Sequence, residues 1–218
     1  MWLLTQRLEL NAHGDFVDSL EHNYISYFSD FGLCLRPLSN FSRKHDFTDY
    51  DGIILTGGGD MPGSLCEGHS LSLEADGIAY SKYNIQRAFL EDALSRGKKV
   101  LAICYGAYLV YTFFGSLVTC GVHGSGPRKP GTNHKIELLD EGRREVKHAW
   151  VNTYHNDGIR VENLPQSFDL FARDAEFGLV EGARHKDLPV LCLQWHPERR
   201  SPDTAFNQKI ISKFLLEH

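Results

Sequence analysis

An α/β fold is the class that this sequence predicts: a single domain over residues 1–218, with a mainly parallel central sheet flanked by helices and additional antiparallel strands in the C-terminal half. Strand-like and helix-like segments alternate up to Gly115, which is typical of a parallel sheet whose strands are connected by helices. After Gly115, short strand candidates follow one another before a last amphipathic segment. Because no linker and no internal repeat divides the chain, we expect one domain.

The first half of the chain is expected to alternate between strands and helices. The predicted strands are 2–8 (WLLTQRL), 33–38 (LCLRPL), the apolar start of 50–60 (YDGIILTGGGD) and 99–104 (KVLAIC). The predicted helices are 15–31, which Gly32 ends, 79–97, with Gly97 after its last turn, and 105–115. Residues 60–78 show no clear period and contain several glycines, so they are expected to form a loop.

The second half is expected to contain strands in close succession and one closing helix. The strand candidates are 135–139 (KIELL), 144–151 (REVKHAWV), 167–174 (SFDLFARD), 177–184 (FGLVEGAR) and 190–196 (VLCLQWH). The closing helix is expected within 201–218, with Ser201 or Asp203 as its N-cap. These strands should extend or flank the parallel sheet.

Composition and charge argue against several classes of function. A net charge of −5 does not fit a nucleic-acid-binding surface, and no apolar run is long enough to span a membrane. The number of cysteines, 5, is odd and their spacing is wide, which favours free thiols in a reducing, cytoplasmic setting. The 11 histidines show no metal-ligand spacing, so we expect no metal and no other cofactor.

Three strand ends carry the residues that are candidates for chemistry. They are the segments 54–60 (ILTGGGD), 101–108 (LAICYGAY) and 192–199 (CLQWHPER). Ligands of open α/β sheets bind beyond the carboxyl ends of the strands, so these segments predict a site.

Cys104 stands at a predicted junction between a strand and a helix. A nucleophile needs this position, because a sharp turn lifts the side chain above the sheet and the helix N-terminus favours a thiolate. Gly106 would let that helix pack close to the neighbouring strand. The alternative is a small buried apolar side chain, which is the more common role of a lone cysteine.

His196 and Glu198 fit the partners that a cysteine nucleophile requires. A base must reach the thiol, and a carboxylate must orient the imidazole of that base. His196 ends an apolar strand, and Pro197 holds the chain extended before Glu198. A surface turn is the alternative for this His-Pro-Glu segment, but the segment together with Cys104 favours catalysis.

The glycines at 57–59 indicate a place where a ligand can approach the backbone closely. A tetrahedral intermediate needs two donors aimed at its oxyanion. We expect one donor to be the N–H of Gly58 or Gly59 and the other to be the N–H of Tyr105. A plain tight turn is the alternative for the glycines.

Together these motifs resemble the class I glutamine amidotransferase superfamily, in which a glycine loop, a cysteine elbow and a His-Pro-Glu segment follow in this order. The resemblance covers roughly residues 1–215. The segments ILTGGGD, VNTYHNDGI and LQWHPE are most similar to free-standing γ-glutamyl hydrolases, such as those acting on γ-glutamyl-γ-aminobutyrate. The opening LLTQRLELN is similar to members from surface-polysaccharide gene clusters, including γ-glutamyl-CDP-amidate hydrolase.

The resemblance implies that Cys104 attacks a γ-glutamyl carbonyl, that His196 moves the proton and that Glu198 orients His196. It implies a substrate-binding set comprising Gly57, Tyr108, Tyr154, His155 and Asn156.

The chain departs from the family pattern at Tyr108. Glutaminases of this superfamily read Cys-x-Gly-x-Gln, and Tyr108 stands at the position of that glutamine. The departure argues against free glutamine as the substrate. Arg128 and Lys129 lie in a Gly/Pro-rich loop and suggest an anion contact for a phosphorylated leaving group; solvated surface charge is the alternative.

Three functions remain open at this level. The favoured one is a hydrolase that releases glutamate from a γ-glutamyl amide, with a small molecule as its partner. The second is a glutaminase that delivers ammonia to a separate synthetase, and the third is a non-catalytic binding protein with the same fold. A homodimer is left open.

Overall fold

The computed structural model describes residues 1–42, 49–67, 72–122, 131–139 and 147–216. The strands are β1 (Trp2–Thr5), β2 (Arg7–Leu10), β3 (Phe16–Ser19), β4 (Leu35–Leu38), β5 (Gly52–Leu55), β6 (Cys66–Glu67), β7 (Lys99–Ile103), β8 (Val118–Thr119), β9 (Thr132–Leu138), β10 (Lys147–Thr153), β11 (Phe168–Asp174), β12 (Leu179–His185) and β13 (Val190–Leu193). The helices are α1 (His22–Ser29), α2 (Leu73–Ser95), α3 (Tyr105–Phe113) and α4 (Thr204–Leu216).

One mixed sheet has the strand order β10-β9-β11-β12-β13-β7-β5-β1-β4. Strands β13, β7, β5, β1 and β4 run parallel, and β12, β11, β9 and β10 continue the sheet through antiparallel pairs. The predicted α/β fold class is therefore confirmed, and the later strands extend the sheet. The prediction that residues 1–218 form one domain stays a prediction.

The central parallel strands β5, β7 and β13 are buried on both faces, which explains their continuous apolar sequences. Along β7, Val100 and Ala102 pack into a core with α2 and α3. Leu101 and Ile103 point the other way and pack with α1 and α4. Helices thus cover both faces, and none of the described helices is long and apolar enough to cross a membrane.

The predictions for the first 31 residues were wrong in two respects. Residues 2–8 are not one strand: β1 joins the large sheet, whereas β2 pairs with β3 in a separate two-stranded ribbon. The predicted helix 15–31 begins only at His22. The side chain of Asn11 accepts the N–H groups of His13 and Asp15, and Gly14 takes a φ of 82°, so the chain turns back and forms a hairpin.

The predicted loop 60–78 was also wrong in part. Helix α2 begins at Leu73, because the Ser72 hydroxyl accepts the N–H of Ala75 and caps the helix. Strand β6 pairs with β8 in a second small sheet. Of the two N-cap candidates for α4, Asp203 precedes the helix and accepts the N–H of Phe206.

Candidate active site

The three predicted segments meet at one edge of the sheet. They follow β5, β7 and β13, which are adjacent parallel strands, so their carboxyl ends lie side by side. A cavity of about 510 Å³ opens at this edge. It is lined by Arg7, Glu21, Gly58, Gly59, Asp60, Cys104, Tyr105, Tyr108, Tyr154, His155, Asn156, Asp157, His196 and Arg199.

Cys104 occupies a strained elbow between β7 and α3. Its backbone has a φ of 52° and a ψ of −107°, and among the described residues it is the one non-glycine with positive φ. A Cβ on Gly106 would lie 2.2 Å from the carbonyl oxygen of Leu55, so only glycine lets α3 pack this closely on β5. The elbow holds the Cys104 side chain at the wall of the cavity.

His196 and Glu198 form a buried pair beside Cys104. The imidazole Nδ1 lies 2.6 Å from Glu198 Oε1. Asn152 fixes the backbone of His196 by accepting its N–H at 2.9 Å and donating to its carbonyl at 2.7 Å. Burial lowers the pKa of His196, but Glu198 and Cys104 outweigh burial and raise the pKa to about 9. The geometry therefore favours an imidazolium close to the thiol.

The absence of a side chain at Gly57 allows His196 and Cys104 to lie close together. A Cβ at Gly57 would lie 2.6 Å from His196 Cε1 and 3.2 Å from Cys104 Cβ. The hydroxyl of Tyr24 accepts the Gly57 N–H at 2.8 Å and lies 3.5 Å from His196 Nδ1. Burial raises the pKa of Tyr24 well above its usual value, so its hydroxyl stays neutral.

A buried lysine anchors the glycine loop. Gly58 and Gly59 have φ values of 99° and 86°, which favour glycine. The Lys82 ammonium donates to the Gly58 carbonyl and lies 3.4 Å above the centre of the Tyr105 ring. Burial, with a contribution from Arg7, lowers the pKa of Lys82 to about 7.

A chain of charges that the sequence analysis missed borders the cavity. Arg199 donates to both carboxylate oxygens of Glu21 at 2.8 Å, and Arg7 donates to the same carboxylate. The Arg199 guanidinium also lies 4.1 Å from the centre of the Tyr154 ring. Arg199 was visible beside the His-Pro-Glu segment, but Arg7 belongs to the ribbon that the sequence analysis merged with β1.

Tyr108 is held at the wall of the cavity by two hydrogen bonds. Its hydroxyl donates to the carbonyl of Asp157 at 2.5 Å and accepts from Gln194 Nε2 at 2.9 Å. The same carbonyl accepts from His155 Nδ1 at 2.9 Å. Tyr108 and His155 therefore converge on one backbone oxygen at the cavity wall.

The structure brings most of the predicted site residues together. Those that line the cavity are Gly58, Gly59, Cys104, Tyr105, Tyr108, Tyr154, His155, Asn156 and His196. Gly57 and Glu198 are not among the lining residues but contact His196 directly. The predicted anion contacts Arg128 and Lys129 lie outside the described residues.

The sequence of this chain is similar to those of known glutamine amidotransferases. The sequence profile of the family described as glutamine amidotransferase class-I matches residues 12–218. The glutamine amidotransferase-like protein YvdE of Lactococcus lactis is 26% identical over 213 residues, covering 91% of this chain and 88% of that protein. The glutamine-hydrolysing GMP synthase of Wolbachia sp. subsp. Brugia malayi is 29% identical over 182 residues; the match covers 81% of this chain but only 31% of that synthase.

Solved structures share the fold. A Thermoplasma acidophilum protein described as one of the subunits of GMP synthase superimposes with a TM-score of 0.68 at 20% identity, covering 98% of this chain and 92% of that one. At this identity the likeness concerns the fold alone.

Proposed function

This chain belongs to the class I glutamine amidotransferase family, and we propose that it hydrolyses a γ-glutamyl amide through a thioester on Cys104. Members of this family are typically cysteine-dependent amidohydrolases. One observation carries the proposal for this chain: the strained elbow holds Cys104 beside the buried His196–Glu198 pair at the wall of the cavity. A non-catalytic binding protein has no need of that backbone strain.

In the first half of the proposed reaction, the Cys104 thiolate adds to the γ-carbonyl carbon and the carbonyl oxygen becomes an oxyanion. The N–H groups of Gly58 or Gly59 and of Tyr105 stabilise that oxyanion. Tyr105 is the first residue of α3, so its N–H has no acceptor within the helix. The C–N bond then breaks, His196 gives its proton to the departing amine, and a thioester remains on Cys104.

In the second half, His196 removes a proton from a water molecule that adds to the thioester carbon. The C–S bond breaks, glutamate leaves, and the thiolate and imidazolium are restored. Glu198 keeps the imidazole in the orientation that both halves need, through the bond of 2.6 Å to Nδ1.

Lys82 acts in this scheme as a positioning residue for the oxyanion donors. The carbonyl and the N–H of one trans peptide point in opposite directions. The bond from Lys82 to the Gly58 carbonyl therefore fixes the direction of the Gly59 N–H. We propose that this direction is towards the oxyanion.

The polar groups of the cavity suit a glutamyl group. Arg7 and Arg199 offer positive charge to an α-carboxylate, and Asp60 and Asp157 offer negative charge to an α-ammonium group. The backbone of His155, with the backbone and side chains of Tyr154 and Asn156, completes the proposed binding set.

Tyr108 supports a substituted amide as the substrate. It is tied to Asp157 and Gln194 at the position where glutaminases of this superfamily carry glutamine. We propose a free-standing γ-glutamyl hydrolase, and γ-glutamyl-CDP-amidate of surface-polysaccharide synthesis as one substrate to test. A nucleotide-linked leaving group would give Arg128 and Lys129 a role.

Five free thiols support a reducing compartment such as the cytoplasm.

The second candidate is a glutaminase that delivers ammonia to a separate synthetase. It is favoured by the similarity to the GMP synthase of Wolbachia. It predicts low activity of the chain alone and stimulation by a synthetase partner.

A screen of glutamate release across γ-glutamyl amides, nucleotide-linked ones included, separates these functions. We expect release from one or more substituted amides and none from Cys104→Ala. Release from glutamine alone, increased by a partner synthetase, would favour the second candidate. Equal release by the wild type and Cys104→Ala would contradict the role of Cys104.

A further inference from the structure

A second cluster of ionisable side chains lies in the antiparallel half of the sheet. His134 stands on β9, Asp174 ends β11, Glu181 lies on β12 and His155 follows β10. All four are buried, with exposed fractions of 4%, 1%, 0% and 7% respectively. The reaction proposed for Cys104 uses neither His134 nor the two carboxylates.

The side-chain atoms of this cluster converge on a small volume. His134 Nε2 lies 3.2 Å from Glu181 Oε1 and 3.9 Å from Asp174 Oδ2, and His155 Nε2 lies 3.7 Å from Glu181 Oε1. The ligand atoms of His134, Asp174 and Glu181 all lie within 4.8 Å of one another. Four ligands at zinc-bond lengths stand roughly 3.3 Å apart around a tetrahedral ion. The 3.2 Å between His134 Nε2 and Glu181 Oε1 matches this value, and the other separations would shorten when the ion binds.

Hydrogen bonds outside the cluster set the direction of its ligands. His134 Nδ1 lies 2.6 Å from the Thr153 hydroxyl, and His155 Nδ1 donates to the Asp157 carbonyl. Asp174 Oδ1 accepts the N–H of Glu176 at 2.9 Å, and Asp174 Oδ2 lies 3.9 Å from His134 Nε2. Metal-binding histidines are characteristically held in this way through the other ring nitrogen.

The buried carboxylate of Glu181 is not compensated by hydrogen bonds. Within the described part of the chain, neither of its oxygens accepts one, and His134 Nε2 has no hydrogen-bond partner despite its distance of 3.2 Å from Oε1. The two groups are thus close but not aligned with each other, as expected of ligands that face a third atom. A carboxylate removed from water in this way is costly without a cation.

We propose that His134, Asp174 and Glu181 bind a divalent transition-metal ion, with zinc as the ion that the set suits best. His155, whose Nε2 lies 3.7 Å from Glu181 Oε1, would move in as the fourth ligand when the ion binds. Two imidazole nitrogens and two carboxylate oxygens are ligands that zinc accepts in tetrahedral geometry. All four ligands come from the protein and are buried, which is the pattern of a structural site rather than a catalytic one.

The metal would support the wall of the cavity. His155 lines the cavity and shares the Asp157 carbonyl with Tyr108. A metal bound at His155 Nε2 would therefore hold in place the backbone against which Tyr108 rests. The sequence predicted no metal, because the ligands come from four separate segments without a recognisable spacing.

Zinc binding to the full chain, stripped with a chelator and titrated against a chromophoric competitor, tests the proposal. We expect the wild type to bind about one zinc ion, as one closed four-ligand site requires. Glu181→Gln should weaken binding at least about 100-fold, and Thr153→Val, which loses the partner of His134 Nδ1, by about 10- to 100-fold. His148→Gln, an exposed histidine on β10, is the matched control and should bind as the wild type does.

Cys104→Ser separates this site from the catalytic thiol and should retain zinc. Absence of zinc binding by the wild type, unchanged affinity in Glu181→Gln, or loss of zinc in Cys104→Ser would overturn the proposal. If Glu181→Gln does not fold, the zinc affinity of Thr153→Val and the absorption spectrum of the cobalt(II)-substituted wild type test the proposal instead. The cobalt spectrum should show the bands of a tetrahedral site without a sulfur-to-metal charge-transfer band, and that band would contradict the proposal.

Discussion

Single residues determine whether Cys104 can act as a nucleophile. Three separate features bring its sulfur close to the imidazole of His196. They are the positive φ of Cys104, the absence of a side chain at Gly57 and the hydrogen bond between His196 and Glu198. Sequence reasoning identified the triad candidates from residue types and order alone. It could not find Lys82, because the contact of this lysine with the Gly58 carbonyl depends on how α2 packs.

The pH dependence of the reaction should report the His196–Glu198 pair. His196 must carry a proton to release the amine, and its folded-state pKa is raised to about 9, so kcat/KM should fall as the pH rises through about 9. Glu198→Gln removes a charge that raises this pKa. The alkaline limb should therefore move to lower pH, and kcat should fall by about 10⁴-fold. Steady-state rates from about pH 5 to above the expected limb at about 9 check this, with far-UV circular dichroism confirming that the protein stays folded at alkaline pH.

Glu162 is exposed, so Glu162→Gln is the control for the loss of one negative charge. It should leave the pH dependence of kcat/KM unchanged. An alkaline limb in Glu198→Gln at the position of the wild type would show that His196 is not the proton donor.

Lys82→Met should lower kcat more than it changes KM. The substitution keeps the buried volume but removes the donor to the Gly58 carbonyl, so the Gly59 N–H loses its fixed direction. Complete loss of one oxyanion donor costs about 10²–10³ in kcat, and a misdirected donor should cost about 10- to 100-fold. Single-turnover and steady-state rates give the measurement. Lys209→Met, an exposed lysine on α4, is the control; an equal effect of both variants would exclude a positioning role.

At the scale of elements, the contact of α3 with β5 positions the elbow. The sequence predicted this close contact from Gly106. The structure confirms it, because a Cβ at Gly106 would lie only 2.2 Å from the carbonyl oxygen of Leu55. The buried strands and α2, α3 and α4 were also predictable, because their apolar patterns are strong. The ribbon of β2 and β3 was not, because its short strands are stabilised by the turn at Asn11 and by pairing rather than by a core pattern.

Gly106→Ala should destabilise the fold by about 1–3 kcal/mol, because the new methyl group would overlap the Leu55 carbonyl and force α3 away from β5. Gly77→Ala is the matched control: Gly77 lies in α2, is exposed, and has open space around the added carbon. It should stabilise the fold by about 0.5–1 kcal/mol. Urea unfolding measures both, and an equal effect of the two substitutions would contradict the close packing at Gly106.

At the scale of the whole molecule, the sheet gathers residues that are far apart in the sequence. Arg7 and Glu21 from the first segment, Cys104 from the middle and Arg199 near the end all line one cavity. The order of the parallel strands explains why 54–60, 101–108 and 192–199 meet, and the sequence predicted this meeting. Arg7 on β2 and Glu21, which precedes α1, reach the cavity only through the tertiary fold, so the sequence pattern could not identify them.

The cavity with Cys104 at its wall makes the acyl-enzyme the most direct test of the proposed function. The protein is mixed with a γ-glutamyl amide that it hydrolyses, quenched in acid during turnover and analysed by mass spectrometry after proteolysis. We predict that the peptide containing Cys104 gains the mass of one glutamyl group, and that Cys104→Ser, with its far weaker nucleophile, gives neither this adduct nor significant turnover. Undiminished glutamate release by Cys104→Ser, or a glutamyl adduct on another residue, would contradict the account.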